Sequence, residues 1–335
     1  WPNCWLESAH ESDALRVVSE KDFALKPYAG FLLVAPKLKI MYCPTTKVAC
    51  SSIKMLLAKA SGTYNQARLD QLIAPHIARS QTIHDIGISG LTKLVDMSAS
   101  DIDEILNSPE WLRVYATRDP LARAYSAWEN RIFSRAPGTP DKVNELCTDQ
   151  MVDSRINVTA SFEHFAKMIS EQTDEFMSDH HFLPQSHIVH PDKFNYNMVA
   201  RVEQPAEMQR LVDEINRRAG TSLSLERHNA GFGIKLDKVC DQHTANRLQA
   251  VYEMDYQTFG FATRAFPASI EPLVLTATET AMLRSLRESI ERLRSISFTA
   301  RSLTGFRFGW RQIYKSIVRK LSRGKKYNDP QNLFW

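Results

Sequence analysis

The sequence contains little cysteine, and its cysteines are not arranged for metal binding or for a disulfide framework. Five cysteines in 335 residues are few and odd in number, and they lack the spacing of zinc sites. Cys43 and Cys50 flank one polar turn, where packing is a simpler role than a disulfide. This pattern excludes a small disulfide-stabilised secreted domain and favours a reducing compartment.

Long apolar runs are also missing. Near the start of the chain the longest is FLLVAP at 31–36, which is too short for a signal-peptide core or a membrane span. The chain begins with Trp1 rather than methionine, so a removed leader or membrane anchor stays among the expectations. With 43% apolar and 24% charged residues, the composition predicts a globular protein of one large or two smaller domains.

Glycine is sparse, and no G-x-x-x-x-G-K-[ST] pattern occurs, which excludes a Walker A loop. A different strand–turn–helix unit is present, in which KLKIMYCP predicts a strand, TTKVACSS a polar turn and SIKMLLAKA a helix. Lys47 supplies a positive charge to this turn. Ser51 and Ser52 supply hydroxyl donors and are the expected helix caps.

A second unit of the same kind follows, with WLRVYAT as the strand, RDP as the turn and LARAYSAWENRIF as the helix. Arg118 ends the strand, Asp119 is the expected N-cap, and Pro120 occupies the first helical position. Ser126, two helical turns on, could face the group that Arg118 binds. Such turns lie at the carboxyl ends of parallel strands, where helix-opening N–H groups attract anions. Together the two turns predict one ligand with two anionic ends.

These two units resemble the cofactor motifs of sulfotransferases that use 3′-phosphoadenosine 5′-phosphosulfate (PAPS). KVACSSIK is similar to the 5′-phosphosulfate loop of carbohydrate sulfotransferases of the chondroitin, dermatan and HNK-1 type, and RDPLARAYSAW to their 3′-phosphate motif. The resemblance implies PAPS as sulfuryl donor and no metal. It implies cofactor contacts at Thr46, Lys47, Val48, Ala49, Cys50, Ser51, Ser52, Arg118, Arg123 and Ser126.

Three further segments follow in the order of that family, so the resemblance covers residues 31–262. They are SFEHFAKMI, then DHHFLPQ with FNYNMVARVE, and finally VYEMDYQTFGF. The implied fold is an α/β, P-loop-like parallel sheet flanked by helices, related to nucleotide kinases, with a helical C-terminal extension. We therefore divide the chain into a peripheral lead-in at 1–30, a sulfotransferase catalytic domain at 31–262 and a helical basic extension at 263–335. Within the catalytic domain we also expect a helix at 99–107, capped by Ser100.

The implied reaction is in-line transfer of the sulfuryl group to a hydroxyl of a saccharide or glycolipid. Lys47 is expected to neutralise the charge that develops on the departing phosphate oxygen. Relatives place a histidine base some thirty residues before the second turn. His84 fits this position best, and His76 is the alternative. A histidine with a near-neutral pKa is suited to accept a hydroxyl proton.

Histidines are concentrated in one segment of eleven residues, which raises the question of a metal site. Two prolines break this segment, and two histidines at helical i, i+4 spacing with a carboxylate are absent. The resemblance explains the block without a metal, so we expect a loop that faces substrate or cofactor. The residues concerned are Asp179, His180, His181, Pro184, Gln185, His187, His190 and Pro191.

The C-terminal extension is strongly basic. From Arg301 to Lys326 there are nine Lys or Arg residues and no Asp or Glu. An apolar, aromatic stripe alternates there with cations at four-residue steps, which is typical of a helix lying on an anionic membrane surface. Docking on the enzyme's own acidic surface and binding of a polyanionic acceptor are the alternatives. The preceding helix has heptad-like spacing, which favours packing on the domain or a homodimer; its apolar residues are Leu283, Leu286, Ile290 and Leu293.

Two other functions stay open at this point. One is a nucleotide-dependent kinase of the same fold lineage, which would need Walker-type glycines and a Mg²⁺-binding set. The other is a catalytically inactive relative retained as a membrane or polyanion adaptor. No nucleic acid is expected as a partner. The expected location is the cytoplasm, with membrane association. The alternative is the Golgi lumen, as the resemblance to animal enzymes implies, if an N-terminal anchor was removed.

Overall fold

A mixed β-sheet forms the centre of the molecule. The computed structural model describes residues 29–70, 82–226 and 231–304. Five strands of the described residues form the main sheet in the order β3-β1-β2-β4-β7, and β5 pairs with β6 in a separate hairpin. In chain order the strands are β1 (Leu33–Ala35), β2 (Ile40–Cys43), β3 (Thr92–Lys93), β4 (Leu112–Thr117), β5 (Met151–Val152), β6 (Arg155–Ile156) and β7 (Met198–Arg201).

The middle of the main sheet is parallel. Strand β4 pairs with β2, where Tyr115 lies opposite Cys43, and with β7, where Thr117 lies opposite Arg201. Every residue of β2 and β4 is buried, as expected for strands that are covered by helices on both faces. Because the carboxyl ends of β2 and β4 meet at one edge, the two polar turns that follow them lie side by side.

Strand β1 runs antiparallel to both of its neighbours, β2 and β3. Val34 of β1 lies opposite Met41 of β2 and Thr92 of β3, in antiparallel pairs on both sides. The predicted α/β class, with helices flanking the sheet, is confirmed. The predicted parallel arrangement holds for β2, β4 and β7. The antiparallel strands β1 and β3 have only three and two residues, too short for the alternating pattern by which a strand is predicted.

Helices pack on both faces of the sheet. A π-helical turn, Glu129–Phe133, continues the helix that follows β4. The α-helices are α1 (Cys50–Ala60), α2 (Gln66–Asp70), α3 (Ile86–Ser89), α4 (Ala99–Asn107), α5 (Pro120–Trp128), α6 (Asp141–Leu146), α7 (Val158–Glu171), α8 (Thr173–Met177), α9 (Gln185–Val189), α10 (Pro205–Ala219), α11 (Gln242–Val251), α12 (Glu253–Phe259) and α13 (Ala277–Thr304).

The alternation of side chains along β2 divides the core between the two faces. Ile40 and Tyr42 belong to one apolar cluster, together with residues of α1 and α10. Met41 and Cys43 belong to the other, together with residues of α4 and α9. The helix that carries the first polar turn is therefore anchored on one face. The short helix α9, in the histidine-rich segment, is anchored on the opposite face.

The helix caps agree only in part with expectation. Asp119 is confirmed as the N-cap of α5, because its carboxylate accepts the N–H of Ala122 at 2.8 Å. The prediction that Ser51 or Ser52 caps α1 is wrong. That helix begins at Cys50 behind a left-handed Ala49, so both serines lie inside it.

The cap predicted for α4 is displaced by two residues. The helix occupies 99–107 as expected, but its N-cap is Ser98, whose hydroxyl accepts the N–H of Asp101 at 3.2 Å. Ser100 lies within the first turn. Both serines stand shortly before Asp101 in the same run of residues, and only the backbone geometry shows which of them is the cap.

The chain divides into two compact units, 1–280 and 281–335. In the first unit the segment before α13 hydrogen-bonds to the hairpin and to α7. Leu275 N donates to Ile156 O at 2.9 Å, and Val158 N donates to Leu273 O at 2.8 Å. In the second unit Leu283 is buried and Leu286 is exposed.

Several predicted features lie outside the described residues. They include the alternative base His76, most of the lead-in and most of the basic segment 301–326. Among the described residues, no helix is both long enough and apolar enough to span a membrane.

Candidate active site

The turn after β2 has an unusual backbone. Lys47 and Ala49 both have positive φ angles, 63° and 51°, although neither is glycine. Each left-handed residue of this kind costs about 1–2 kcal/mol, so the surrounding structure must impose the conformation. Left-handed residues close together in a turn are typical of the backbone nests that bind anions. The turn thus has the geometry of an anion-binding loop without the glycines.

Arg123, from α5, fixes this turn. Its side chain is almost wholly buried. Nε donates to Thr46 O at 3.0 Å and Nη2 donates to Thr46 Oγ1 at 3.1 Å. The Thr46 hydroxyl in turn donates to His180 O at 2.9 Å. The buried Arg123 side chain therefore supports the first turn by direct hydrogen bonds to its backbone and side chain.

The second turn is fixed by Gln185 at the start of α9. Gln185 Oε1 accepts the N–H of Arg118 at 3.0 Å, and its Nε2 donates to Arg118 O at 2.8 Å. The buried carboxylate of Asp255 accepts the backbone N–H groups of Gln185 and Ser186 at 2.7 and 2.8 Å. Glu203 accepts the N–H of Asp119 at 3.0 Å. Residues far apart in sequence therefore set the position of Arg118.

The guanidinium of Arg118 joins the two turns. Its Nη1 donates to Lys47 O at 3.1 Å, and its Nε lies 3.9 Å from a carboxylate oxygen of Glu203. The two cations that the sequence analysis assigned to the two ends of one ligand thus come from adjoining turns.

Lys47 is half-buried, and its Nζ donates to Asn130 Oδ1 in the π-helical turn. Burial lowers the pKa of Lys47 to about 7, and the positive charges of Arg131 and Arg118 act in the same direction. The ammonium therefore loses part of its charge near neutrality in the free protein. An anion bound in the turn would restore that charge.

His84 lies against the first turn. Its Nε2 is 3.2 Å from Ser51 Oγ and its Nδ1 is 3.0 Å from Lys54 Nζ, and the residue is exposed to solvent. Protein atoms packed around the ring lower the pKa of His84 to about 3, and positive charge on Lys54, His180 or Lys47 acts in the same direction. The imidazole is therefore neutral at physiological pH, and its pKa in the free protein lies below the near-neutral value expected of the base.

Comparison with known proteins identifies the family. The family model described as the sulfotransferase family matches residues 31–262, which is most of the chain. The chain belongs to the sulfotransferase family. The resemblance drawn from its sequence motifs is confirmed over the same residues.

Three similar relatives carry one name, carbohydrate sulfotransferase 10. The protein of Danio rerio is 24% identical over 265 residues, covering 70% of this chain and 67% of the relative. Those of Xenopus laevis and Gallus gallus are 21% and 22% identical over 256 and 259 residues. They cover 70% of this chain and 68% and 67% of the relatives. No solved structure matches the chain.

A cavity of about 200 Å³ adjoins the first turn of this sulfotransferase. It begins at Ser52, and the Lys59 ammonium and the Glu226 carboxylate that line it are 2.7 Å apart. The remaining lining side chains are small or apolar, and they are Met55, Leu56, Ser222, Leu223 and Ser224.

Buried hydroxyls provide a further test of whether an anionic ligand fits. Among the described residues, the side-chain oxygens of Thr45 and Thr117 are buried and make no hydrogen bond within the protein. These threonines stand where β2 and β4 end, next to the two turns. Unsatisfied buried hydroxyls are costly unless a ligand or water meets them. The residues present therefore fit a ligand with oxygen acceptors.

The histidine-rich segment contains a group that could be considered for a metal. The ligand atoms of Asp179, His180 and His181 lie within 4.8 Å of one another. Asp179 Oδ1 accepts the N–H and meets the Nδ1 of His181 at 2.9 and 2.6 Å, and Oδ2 lies 3.2 Å from Arg131 Nη2. Burial alone would raise the pKa of Asp179, but His181 and Arg131 hold it well below its usual range. Both carboxylate oxygens of Asp179 thus already have partners within the protein, and one of these partners is the guanidinium of Arg131.

The other predicted cofactor contacts fall in or near the two turns. Val48 is buried, whereas Cys50 and Ser52 are half-buried in the first turn of α1. Ser126 is half-buried on α5, one turn before the π-helical segment. The structure thus places these residues in the two turns at the carboxyl ends of β2 and β4 or in the helices that directly follow them.

The residues that support this set had no supporting role predicted from the sequence patterns. Gln185 and Asp255 belong to segments that were identified only by their order, and Asn130 and Lys54 received no role. Spacing offers no signal for these partners, since Gln185 lies 67 residues from Arg118 and 70 from Asp255. The one available hint was the family-like P-Q and Y-x-x-D patterns.

Proposed function

We propose that this sulfotransferase is PAPS-dependent and transfers the sulfuryl group to a hydroxyl of a saccharide or glycolipid. The observation that carries the proposal is the 3.1 Å hydrogen bond from Arg118 Nη1 to Lys47 O, which unites two anion-binding turns. His84 stands 3.2 Å from Ser51 in the same turn. The saccharide class is supported by the names of the similar relatives.

Each part of the bound nucleotide would contact a different part of the site. The first turn and Lys47 would hold the 5′-phosphosulfate. Arg118, with Ser126, would bind the 3′-phosphate, because a guanidinium forms strong charge-assisted hydrogen bonds with phosphate. The adenine would lie in the cavity beside Ser52, where Lys59 and Glu226 offer polar partners. One ligand with two anionic ends accounts for both cationic turns.

The reaction needs little beyond positioning and charge. PAPS supplies a sulfuryl group on a good leaving group, the 5′-phosphate of adenosine bisphosphate. His84 takes the proton of the acceptor hydroxyl as its oxygen forms the new bond to sulfur. The electron pair of the broken S–O bond leaves on the phosphate oxygen, where Lys47 neutralises it. The proton then passes from the imidazole to solvent.

A nucleotide-dependent kinase is not favoured. The chain belongs to the sulfotransferase family, and its phosphate loop lacks the Walker glycines. The Golgi lumen is better supported than the cytoplasm as the location, because the similar relatives are animal carbohydrate sulfotransferases. Expression of the tagged full-length protein with organelle markers tests this location.

Nucleotide binding is the decisive experiment. Isothermal titration should show that adenosine 3′,5′-bisphosphate binds much more tightly than ATP with Mg²⁺. Lys47→Ala and Arg118→Ala should each weaken binding, while the exposed-site variant Lys142→Ala should bind like the wild type. Sulfuryl transfer from radiolabelled PAPS to a panel of saccharides and glycolipids then identifies the acceptor. A protein that prefers ATP, or binds neither nucleotide, contradicts the proposal.

A further inference from the structure

Lys54 holds the nitrogen of His84 that faces away from Ser51. It follows Ser51 by three residues on α1, so the two side chains lie on neighbouring positions of one helix face. Lys54 Nζ is 3.0 Å from His84 Nδ1, and Ser51 Oγ is 3.2 Å from Nε2. Both ring nitrogens are therefore held by side chains of a single helix.

The hydrogen-bonding capacity of each group limits what the ring can do. An ammonium can only donate, so a protonated Lys54 requires Nδ1 to accept. The proton of the neutral ring then lies on Nε2, and that nitrogen has no lone pair for a substrate hydroxyl. A neutral Lys54 amine can instead accept Nδ1–H, which leaves the lone pair on Nε2.

We propose that Lys54 is a positioning residue for the base: its neutral amine accepts Nδ1–H of His84 and leaves Nε2 to take the acceptor's proton. This inference rests on the proposed sulfotransferase activity. In the transfer step, Nε2 receives the hydroxyl proton, and the resulting imidazolium donates Nδ1–H to an uncharged amine. Ser51, released from Nε2, is free to donate its hydroxyl hydrogen to the phosphosulfate.

The charges around the pair act together. Burial lowers the pKa of Lys54, which favours the neutral amine, whereas the Cys50 and Cys43 side chains raise it. His84 faces three other basic groups, Lys54 on α1, Lys47 in the first turn and His180 before α9. An ammonium 3.0 Å from an imidazolium would be strongly repulsive. Transfer should therefore increase with pH as Lys54 loses its proton, and be lost as pH falls.

Three substitutions of Lys54 separate this role from a need for charge or volume. Lys54→Gln can accept Nδ1–H through its amide oxygen without titrating, so kcat should stay within about tenfold of the wild type and lose its dependence on the Lys54 proton. Lys54→Met fills the space but offers no acceptor for Nδ1–H, so its kcat should fall further than that of Lys54→Gln. Lys54→Arg is a permanent cation that forces the proton onto Nε2, so kcat should fall by about 100-fold or more at every pH.

The controls distinguish a failure of the proposed role of Lys54 from a failure of the proposed sulfotransferase function. All three variants should bind adenosine 3′,5′-bisphosphate within about threefold of the wild type, and Lys142→Arg, an exposed change, should behave like the wild type. An arginine variant that is the most active of the three contradicts the inference and indicates a need for charge alone. A wild-type protein that does not bind the bisphosphate contradicts the proposed function instead.

The wild-type protein also allows a test that needs no substitution at Lys54. Nitrogen-15 spectra of the imidazole, assigned with His84→Gln, report which ring nitrogen carries the proton in the bisphosphate complex. The proton should move from Nε2 to Nδ1 as pH rises through the Lys54 titration. A ring that keeps the Nε2–H form throughout the active pH range overturns the inference.

Discussion

Lys47 differs from a surface lysine in backbone, burial and charge. Its φ angle is left-handed, its ammonium is hydrogen-bonded to Asn130, and burial lowers its pKa to about 7. These properties suit the side chain to binding an anion. A partly desolvated cation interacts more strongly with an approaching anion than a fully hydrated one does.

The first prediction concerns turnover. Lys47→Ala should lower kcat by about two to three orders of magnitude, the range for losing one preorganised charge in an active site. Acceptor affinity should change much less. Steady-state assays with saturating PAPS measure the effect, with Lys142→Ala as the control. Near-normal turnover of the alanine variant would remove Lys47 from the mechanism.

The second prediction concerns pH. In the proposed function the bisphosphate would bind the protonated form of Lys47, whose pKa is about 7 in the free protein. Affinity should therefore fall with rising pH above 7, by about tenfold per unit once the free lysine is neutral. Titration calorimetry in buffers of different ionisation enthalpy should also show proton uptake on binding. Lys47→Arg should flatten the profile, because a guanidinium stays charged. An unchanged slope in that variant would assign the proton to another group.

The third prediction concerns the 3′-phosphate. Arg118→Ala should weaken bisphosphate binding by about 1.5–3 kcal/mol, as expected for hydrogen bonds to a charged group. Ser126→Ala should cost less. Adenosine 5′-phosphosulfate, which lacks the 3′-phosphate, is the matched ligand and should respond weakly to both changes. Equal losses for the two nucleotides would place these residues elsewhere.

At the scale of elements, the second turn is fixed by segments that lie far from it in the sequence. The start of α9 binds the backbone of Arg118 through Gln185, and Asp255 of α12 binds the start of α9. Four donor groups converge on the Asp255 carboxylate, which is fully buried. The geometry of the cofactor site therefore depends on an acceptor that lies beneath it.

The fourth prediction tests this support. Asp255→Asn replaces one acceptor oxygen by an NH₂ group that faces N–H donors, so it should destabilise the protein by about 2–3 kcal/mol. Urea unfolding measures the loss, and bisphosphate affinity should fall with it. Asp237→Asn removes a carboxylate from an exposed ion pair with Arg264 and should change stability by about 0.5 kcal/mol or less. A fully stable Asp255→Asn variant would show that this carboxylate is dispensable.

At the scale of the whole molecule, the chain continues beyond the family match at residue 262. Part of that continuation completes the first compact unit. Leu273, Leu275 and Thr280 hydrogen-bond to backbone groups at 156–158 or to Thr159. Without them, backbone groups of the hairpin and of α7 would lose their partners.

The fifth prediction compares two truncations. A chain ending at Ala300 keeps these contacts and should bind bisphosphate normally, but it should no longer bind vesicles of anionic lipid, because the basic segment is gone. A chain ending at Ala262 should be destabilised or insoluble. Vesicle sedimentation and thermal unfolding measure the two effects. Undiminished vesicle binding by the first truncation would exclude membrane association through 301–326.

The sequence alone determined the units that carry the chemistry. The strand, turn and helix around Lys47 and around Arg118 follow from apolar runs, turn residues and the Asp-Pro helix start, which act over a few neighbouring residues. Helix α10 likewise begins at Pro205 and ends at Ala219, where an apolar stripe and the following glycine are local signals.

Only the tertiary structure decided how those units are held and completed. The left-handed Ala49 takes the place of the expected serine cap, and Arg123 fixes Thr46 of the same turn from another helix. Lys54 meets His84 across 30 residues, and Gln185 meets Arg118 across 67. A hydrogen-bonding side chain can be identified from the sequence. Its partner depends on which strands pair and which helices pack together. That pairing is a property of the folded sheet rather than of any segment.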